Sequence, residues 1–411
     1  MSERKIINDP VFGFINIPKG LLYDIVCHPL LQRLTRIKQL GLASAVYPGA
    51  QHTRFQHSLG AFHLMSETIK HLTAKGNFIF DSEAEAVQAA ILLHDIGHGP
   101  FSHVLENTLV GGVSHEEISL MLMERMNHEM KGQLHLAIQI FKDEYPKKFL
   151  HQLVSGQLDM DRLDYLRRDS FYTGVTEGNI GSARIIKMLD VKDDHLVVEA
   201  KGIYSIENFL MSRRLMYWQV YLHKTSVAYE KMLISALLRA KKLAAQGTEL
   251  FASPALKFFL YNTIGKEEFY NNPNCLENFI QLDDNDIWTA LKVWSTHSDI
   301  VLSSLSRGII NRKLFKVEVS SSPISIRKKE EIIQRISNQL LISKKDANYF
   351  LSTSYIENNM YKKEDDSIEI IYNDGSTKDI AEASDMLNIS LLSRKVKKYY
   401  VCYLRPEKEG H

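Results

Sequence analysis

The chain has 411 residues, of which 45% are hydrophobic, so it is long and apolar enough for a large buried core. Its 50 lysines and arginines balance 49 aspartates and glutamates, which excludes an overall field that would draw it to nucleic acid or an anionic membrane. The three scattered cysteines exclude a disulfide framework or a thiolate zinc site, and MSERKIINDP lacks the apolar run of a signal peptide, so we expect a cytoplasmic protein without membrane contact.

From residue 21 to about 250 the hydrophobic pattern predicts mainly helices. Two capping boxes are predicted, Ser82 with Glu85 before EAVQAAILLH and Ser114 with Glu117 at the start of HEEISLMLMERM. LDMDRLDYLRRD (158–169) has helical periodicity, and residues 208–240 predict one unusually long helix. HLVVEAKGIYS (195–205) is typical of a small hairpin.

The last hundred residues have a different pattern. LFKVEVSSS, DSIEIIYNDGS and KKYYVCYLRP alternate as strands do, and KKEEIIQRISNQLL predicts a helix between the first two. We therefore expect a mainly α fold, a helical bundle with a small C-terminal α+β lobe. The predicted division places the catalytic body and an N-terminal arm in residues 1–309 and the lobe in 310–411.

The stretch LLHDIGHGPFSH, residues 92–103, concentrates three histidines and an aspartate where glycines and a proline must end a helix. His94 and Asp95 offer nitrogen and oxygen donors, a mixture that suits Fe, Mn, Co, Ni or Zn better than Ca. Two ligands do not hold a catalytic metal, so further donors are needed. The candidates are His52 and His57 upstream and Asp159, Asp161, Asp164 and Asp169 downstream. Such a set would leave coordination positions open for water and a phosphate oxygen.

Six blocks carry a resemblance to a known family: INDPVFG, QRLTRIKQLG, YPGAQHTRFQHSLG, LLHDIGHGPFSH, SHEE and DMDRLDYLRRD. Their order and spacing resemble the dNTP triphosphohydrolase branch of the HD-domain phosphohydrolases, which includes the SAM-and-HD-domain dNTPase and bacterial dGTPase-like relatives. The resemblance runs from about residue 5 to 240. It implies an HD-domain helical bundle in which His57, His94, Asp95 and Asp161 bind one divalent transition metal, and it leaves open an additional Mg²⁺ on the triphosphate.

The resemblance also implies a reaction. Hydroxide attacks the α-phosphorus of a deoxynucleoside triphosphate, and the products are the deoxynucleoside and intact triphosphate. The implied catalytic residues are His98, His103, His115 and Glu116. His103 is the candidate proton donor to the 5′-oxygen, a role that is typically worth ~10²–10⁴-fold in rate. Glu116 is expected to orient His115.

The substrate contacts implied by the family are Gln39, Leu40, Arg54, Arg162, Tyr165, Asp169, Arg213, Tyr217 and Tyr221. The three arginines would bind the triphosphate, Asp169 would accept from the 3′-hydroxyl, and Tyr221 would pack under the sugar where a 2′-hydroxyl would clash. Spacing alone leaves open that the tyrosines are ordinary core aromatics. Arg162 stands where the family usually has lysine, and Leu222 where it has glutamine, so base preference stays open.

Family resemblance further implies a homo-oligomer, dimer or tetramer, with an activating nucleotide at an interface. The matching positions are Asn8, Arg184, His223, Lys224 and Arg312. Cys27 and Thr35 replace an acid and an arginine of the guanine-reading regulator, so we expect any allosteric site not to be strictly guanine-specific.

Two other functions stay open. One is hydrolysis of a different nucleotide phosphoester by the same metal centre. The other is a catalytically idle scaffold that binds nucleotides or nucleic acid, for which the basic stretches SRGIINRKLFK (306–316) and SRKVKK (393–398) give some support.

Overall fold

The computed structural model describes residues 4–101, 103–358, 367–385 and 396–406, and within these ranges it leaves out the side chains of residues 103, 107, 356–358 and 396. The fold is mainly α-helical with small sheets, as the sequence predicts. Among the described residues, every helix is too short or too polar to span a bilayer.

Helices build the body of the protein. Its first part contains α1 Leu21–Cys27, α2 Pro29–Gln32, α3 Arg54–Ala74, α4 Asp81–Leu93, α5 His103–Thr108, α6 His115–Glu129, α7 His135–Phe141, α8 Lys148–Val154, α9 Met160–Thr173 and α10 Ser182–Met188. The rest of the chain contains α11 Ile203–Met216, α12 Lys224–Ala245, α13 Pro254–Tyr261, α14 Lys266–Asn271, α15 Pro273–Gln281, α16 Asp284–Trp294, α17 Ile300–Ile310, α18 Ile326–Leu340, α19 Lys344–Ala347 and α20 Ile380–Ala383.

The strands are β1 Arg4–Asp9, β2 Gly13–Pro18, β3 Leu189–Lys192, β4 His195–Glu199, β5 Lys316–Ser320, β6 Leu351–Asn358, β7 Glu369–Ile371, β8 Thr377–Asp379 and β9 Val396–Tyr403. They form a β1-β2 hairpin, a four-stranded sheet in the order β3-β4-β7-β8 and a three-stranded sheet in the order β5-β9-β6. Because β7 pairs in parallel with β4, the C-terminal residues extend a sheet that begins in the helical body. The predicted hairpin lies at 189–199, a few residues before the predicted position.

Capping residues fix where the site-bearing helices begin. Thr53 caps α3 by accepting from the backbone of Gln56, whose side chain accepts from Thr53 in return. The Ser114–Glu117 capping box at α6 is confirmed. The box predicted at Ser82 is wrong, because α4 begins at Asp81 and its first turn is closed by Glu83, which accepts from the backbone of Phe80.

The long helix predicted over residues 208–240 is interrupted. Helix α11 ends at Met216, a π-helical turn spans Tyr217–Tyr221, and α12 begins at Lys224. In this turn the Leu222 amide donates to the carbonyl of Tyr217, five residues back. The turn changes the direction in which Tyr217 and Tyr221 point relative to a continuous helix, and such turns are often found at functional sites.

Close packing of α3 on α9 depends on Gly60. A methyl group at this position would overlap the carboxylate of Asp164 and the guanidinium of Arg168, which lie against the glycine. Both side chains are fully buried. The small residue thus allows a buried charged pair to sit between two helices directly behind His57.

Candidate active site

Three donor atoms from three helical segments converge on one point. His57 Nε2 lies 3.2 Å from His94 Nε2 and 3.1 Å from Asp161 Oδ1, and His94 Nε2 lies 3.6 Å from the same carboxylate oxygen. His57 comes from α3, His94 follows the last residue of α4, and Asp161 lies in the first turn of α9. The three residues therefore form a group that fits a metal ion.

Hydrogen bonds to the opposite ring nitrogens support ligation by both imidazoles. His57 Nδ1 lies 2.7 Å from Asp164 Oδ2, and His94 Nδ1 lies 2.6 Å from the carbonyl oxygen of Ile91. Both partners are acceptors, so each ring carries its proton on Nδ1 and directs an Nε2 lone pair to the shared point. Two neutral imidazoles and a carboxylate suit a transition metal, which would polarise a phosphate and supply hydroxide near neutral pH when bound.

Asp95 borders the same point. Its Oδ1 lies 3.5 Å from His94 Nε2, and its Oδ2 lies 3.8 Å from His57 Nε2. It also accepts hydrogen bonds from Arg54 Nη1 at 2.7 Å and lies 3.2 Å from His98 Nε2. Asp95 thus borders the group of His57, His94 and Asp161 without belonging to it, and it holds Arg54 beside these donors.

The electrostatics of this cluster favour a cation at its centre. Burial alone would lower the pKa of His57, but hydrogen bonds with Asp161 and Asp164 raise it to about 10. Burial would raise the pKa of Asp161, yet its contacts with His57 and His94 hold it well below its ordinary value. In a protein without metal the carboxylates therefore attract a proton where a metal ion would otherwise sit.

A second group of side chains lies next to the metal ligands. The rings of His98 and His115 stack with their centres 3.9 Å apart, and His115 Nδ1 lies 3.1 Å from Glu106 Oε1. Burial, followed by the nearby charge of Arg54, lowers the pKa of His98 to about 3. Gly97 permits this arrangement, because a side chain there would collide with the backbone of His115 at the start of α6.

The contact predicted for Glu116 belongs to a different residue. The Glu116 side chain is 72% exposed, and its Oε1 lies 4.0 Å from His115 Nε2, so Glu106 is the carboxylate that orients this ring. His103 begins α5, but its side chain lies outside the described residues. Its predicted role as proton donor stays a prediction.

A cavity of about 430 Å³ is lined by Arg54, which in turn contacts Asp95 beside the candidate metal donors. Eight of the nine predicted substrate contacts line it: Gln39, Leu40, Arg54, Tyr165, Asp169, Arg213, Tyr217 and Tyr221. Two further cations, Lys38 and Arg214, also line the cavity. The exception is Arg162, whose Nη1 donates to the carbonyl of Gly156 and to the carboxylate of Asp159.

The predicted sugar-binding residues form a hydrogen-bonded group. Tyr221 donates to Asp169 Oδ2 at 2.7 Å, and His52 Nε2 lies 2.7 Å from Asp169 Oδ1. Burial and the charge of Asp169 raise the pKa of Tyr221 well above its ordinary value, so its phenol stays protonated and donates. His52, considered in the sequence only as a metal donor, instead orients Asp169 and stacks on Tyr172.

The predicted regulatory positions contact other residues of the chain. Arg184 bonds to Ser205, His223 caps α12, and Arg312 donates to the carbonyl of Ala45. Within the described residues no hydrogen bond or ion pair joins any two of the five positions, which are Asn8, Arg184, His223, Lys224 and Arg312.

Three residues organise the site in positioning roles that the sequence did not predict; His52 and Asp164 were considered only as metal donors, and Glu106 was not considered. They are Asp164 behind His57, Glu106 behind His115 and His52 behind Asp169. Spacing gave a signal only for Asp164, which stands three residues after Asp161 and so lies on a neighbouring part of the α9 surface.

Comparisons with known proteins match the part of the chain that carries this site. The family model of the HD domain matches residues 54–168, and that of the HD associated region matches residues 180–252. The chain is 34% identical over 323 residues to the uncharacterized protein YwfO of Bacillus subtilis, a match that covers 77% of this chain and 72% of that protein. It is 26% identical over 389 residues to the deoxynucleoside triphosphate triphosphohydrolase SAMHD1 of Bos taurus, with 84% of this chain and 63% of that protein covered, so it spans less than two thirds of that relative.

Among solved structures, the chain is similar to a phosphohydrolase from Bacteroides thetaiotaomicron, with 81% sequence identity and a TM-score of 0.96. This match covers 98% of the present chain and 100% of the other.

Proposed function

Because the chain belongs to the HD-domain, dNTPase-like family of metal-dependent phosphohydrolases, we propose that it is a deoxynucleoside triphosphate triphosphohydrolase. One observation carries the proposal: a cavity presents arginines and a Tyr221–Asp169 pair, and its Arg54 contacts Asp95 next to a group of metal donors. Anion and sugar contacts thus share one cavity, and Arg54 links this cavity to the metal donors, an arrangement that suits a deoxynucleoside triphosphate.

The triphosphate carries up to four negative charges. Four cations line the cavity for it: Lys38, Arg54, Arg213 and Arg214. Arg54 is held by Asp95 at the metal end, and Arg213 donates to Gln157 at 3.0 Å near the start of α9. Charges fixed by such partners bind an anion without having to reorganise during the reaction.

In the proposed reaction, hydroxide attacks the α-phosphorus while the bond from phosphorus to the 5′-oxygen breaks. The 5′-oxygen takes up a proton and leaves as the deoxynucleoside, and the three phosphates leave together. His57, His94, Asp95 and Asp161 would hold the metal. His98 and His115 lie beside Asp95, where they can position water and phosphate, and His103 is the proposed proton donor.

Preference for deoxyribose is assigned to Tyr221. Its ring is held by the hydrogen bond to Asp169, which fixes it against the sugar position. Asp169, with Gln39, would accept from the 3′-hydroxyl, and a 2′-hydroxyl would meet the tyrosine ring.

Product analysis tests the proposal. Metal-loaded protein is incubated with each dNTP and rNTP, and nucleosides and polyphosphates are resolved. We expect equal amounts of deoxynucleoside and intact triphosphate, no turnover by Asp161→Ala, and normal turnover by Asp374→Ala, a control at the exposed turn between β7 and β8. Release of pyrophosphate or phosphate would instead favour a different phosphoester substrate. Nucleotide binding that survives Asp161→Ala, without turnover by the parent protein, would favour a scaffold.

We also propose a homo-oligomer in which a nucleotide contacts Asn8, Arg184, His223, Lys224 and Arg312. Light scattering with each dNTP and dNTP pair tests this. An unchanged mass together with hyperbolic kinetics throughout would count against regulation.

A further inference from the structure

One wall of the cavity has polar groups that find no partner in the part of the chain that the structure describes. Ser226 and Glu230 stand four residues apart on α12, so they lie on the same face of the helix, and both line the cavity. Ser226 is only 8% exposed, and its hydroxyl has no hydrogen-bond partner among the described residues. Burying a hydroxyl without a partner costs free energy, so an unpaired one beside a cavity indicates a ligand that completes it.

Glu230 is likewise available to a ligand. No cation lies within ion-pair distance of its carboxylate in the part of the chain that the structure describes. A carboxylate only accepts hydrogen bonds, whereas a serine hydroxyl both donates and accepts. The two side chains together therefore fit a ligand edge that presents donors next to an acceptor.

The Ser226–Glu230 wall is placed where the base of a dNTP substrate would lie. Asp169 stands eight positions after Asp161 on α9, which corresponds to about 12 Å along the helix at 1.5 Å per residue. Tyr221 donates a hydrogen bond to Asp169. Helix α12, which carries Ser226 and Glu230, begins three residues after Tyr221. On this placement the phosphates would lie near the metal donors, the sugar at Tyr221 and Asp169, and the base beside Ser226 and Glu230.

Apolar residues complete this end of the cavity. Leu42, Ala43, Phe101 and Val104 are buried and line it. Apolar walls suit the flat faces of a nucleobase, and a few polar groups at its edge provide specificity.

We propose that Ser226 and Glu230 read the hydrogen-bonding edge of the base and so set the base preference of the enzyme. This inference rests on the proposed dNTP substrate. Guanine offers the carboxylate two adjacent donors, N1–H and the 2-amino group, next to the O6 acceptor for the hydroxyl. Adenine and cytosine each offer one amino group, whereas thymine places its single N3–H between two oxygens that repel a carboxylate. The expected order is dGTP first, dATP and dCTP next, and dTTP last.

Steady-state kinetics on the metal-loaded, full-length protein tests the assignment. The quantity measured is the ratio of kcat/KM for dGTP to that for dTTP. In Glu230→Gln this ratio should fall ~10-fold or more, the usual loss for a hydrogen bond to a charged group, and in Ser226→Ala it should fall by less. Ser235→Ala on α12 and Glu124→Gln on α6, both outside the cavity, should leave the ratio unchanged.

Wild-type protein provides a second test that needs no variant. Deoxyinosine triphosphate lacks the 2-amino group of guanine, so its kcat/KM should lie below that of dGTP, and Glu230→Gln should remove the difference. Equal values for dGTP, deoxyinosine triphosphate and dTTP in the wild type would overturn the inference, as would an unchanged dGTP-to-dTTP ratio in active Glu230→Gln.

Binding of the product nucleosides separates this inference from the proposed function. Calorimetry should show deoxyguanosine binding more tightly than thymidine, with the difference dependent on Glu230. If triphosphate is released from all dNTPs but the base ratios ignore Glu230, only the base-reading assignment fails. If no dNTP is hydrolysed but nucleoside binding depends on Glu230, only the proposed reaction fails.

Discussion

Replacing Asp164 with asparagine would separate the orientation of a metal ligand from ligation itself. The Asp164 carboxylate contacts His57 Nδ1 at 2.7 Å and accepts from Arg168 Nε at 2.9 Å and Nη2 at 3.0 Å. It is fully buried but lies on the far side of the ring from the metal donors. The substitution should therefore act on the metal only through the orientation and basicity of His57.

The magnitude follows from these contacts. Loss of a carboxylate behind a ligating histidine typically weakens metal binding ~10–100-fold, or about 1.4–2.7 kcal/mol. Removing one charge of a buried pair also destabilises the fold, by ~3–5 kcal/mol at most here because Arg168 keeps its contact with Asp9 at 2.7 Å. Titration of metal-free protein with Mn²⁺ measures the first effect, and thermal unfolding measures the second.

Asp9→Asn is the matched control. It removes the other carboxylate from Arg168 without touching His57, so it should lower stability while metal affinity stays at the wild-type value. The reasoning would be refuted if Asp164→Asn bound Mn²⁺ as tightly as Asp9→Asn.

Three further predictions address the sugar, the pH dependence of stability and helix packing. Tyr221→Ala should raise the ratio of rNTP to dNTP turnover ~10-fold or more by opening space for the 2′-hydroxyl. Tyr221→Phe, which keeps the ring, should change this ratio little. Equal rNTP and dNTP turnover in the wild type would contradict the role of Tyr221. Burial alone would raise the pKa of Glu83, but hydrogen bonds from Lys147 and Tyr145 hold this pKa below its ordinary value. The Glu83 carboxylate therefore stabilises the fold above about pH 4, and this contribution is lost as the pH falls further. Glu83→Gln should thus lower the free energy of unfolding by ~1–3 kcal/mol at pH 7 and by progressively less in acid, and a loss independent of pH in chemical denaturation would argue against it. Gly60→Ala should lower stability by ~2 kcal/mol or more through overpacking. Gly265→Ala, at the exposed start of α14 where an added methyl group meets no atom within 4 Å, should cost far less, and similar melting temperatures for the two variants would contradict the packing role.

The elements and the metal donors were largely accessible from sequence, because their signals are local or carried by rare residue types. The Ser114–Glu117 box and the alternating strands near the C terminus are examples. The convergence of His57, His94 and Asp161 followed from the family resemblance of three distant blocks, each containing donors that suit the same metal.

Features that depend on contacts between distant segments were not accessible. The partner of His115 is Glu106 rather than its neighbour Glu116, because the fold brings the Glu106 carboxylate of α5 to the His115 ring at the start of α6. The π-helical turn at Tyr217–Tyr221 contains no glycine or proline, so the pattern there favours a continuous helix. The sequence pattern therefore does not separate a continuous helix from one interrupted by a π-helical turn, which depends on the packing of distant segments.

Anomalous diffraction from crystals grown with Mn²⁺ tests the central claim most directly. The claim predicts one anomalous peak within about 2.3 Å of His57 Nε2, His94 Nε2 and a carboxylate oxygen of Asp161, with Asp95 as the next donor. A peak elsewhere, or ligation through Nδ1 of either histidine, would contradict it.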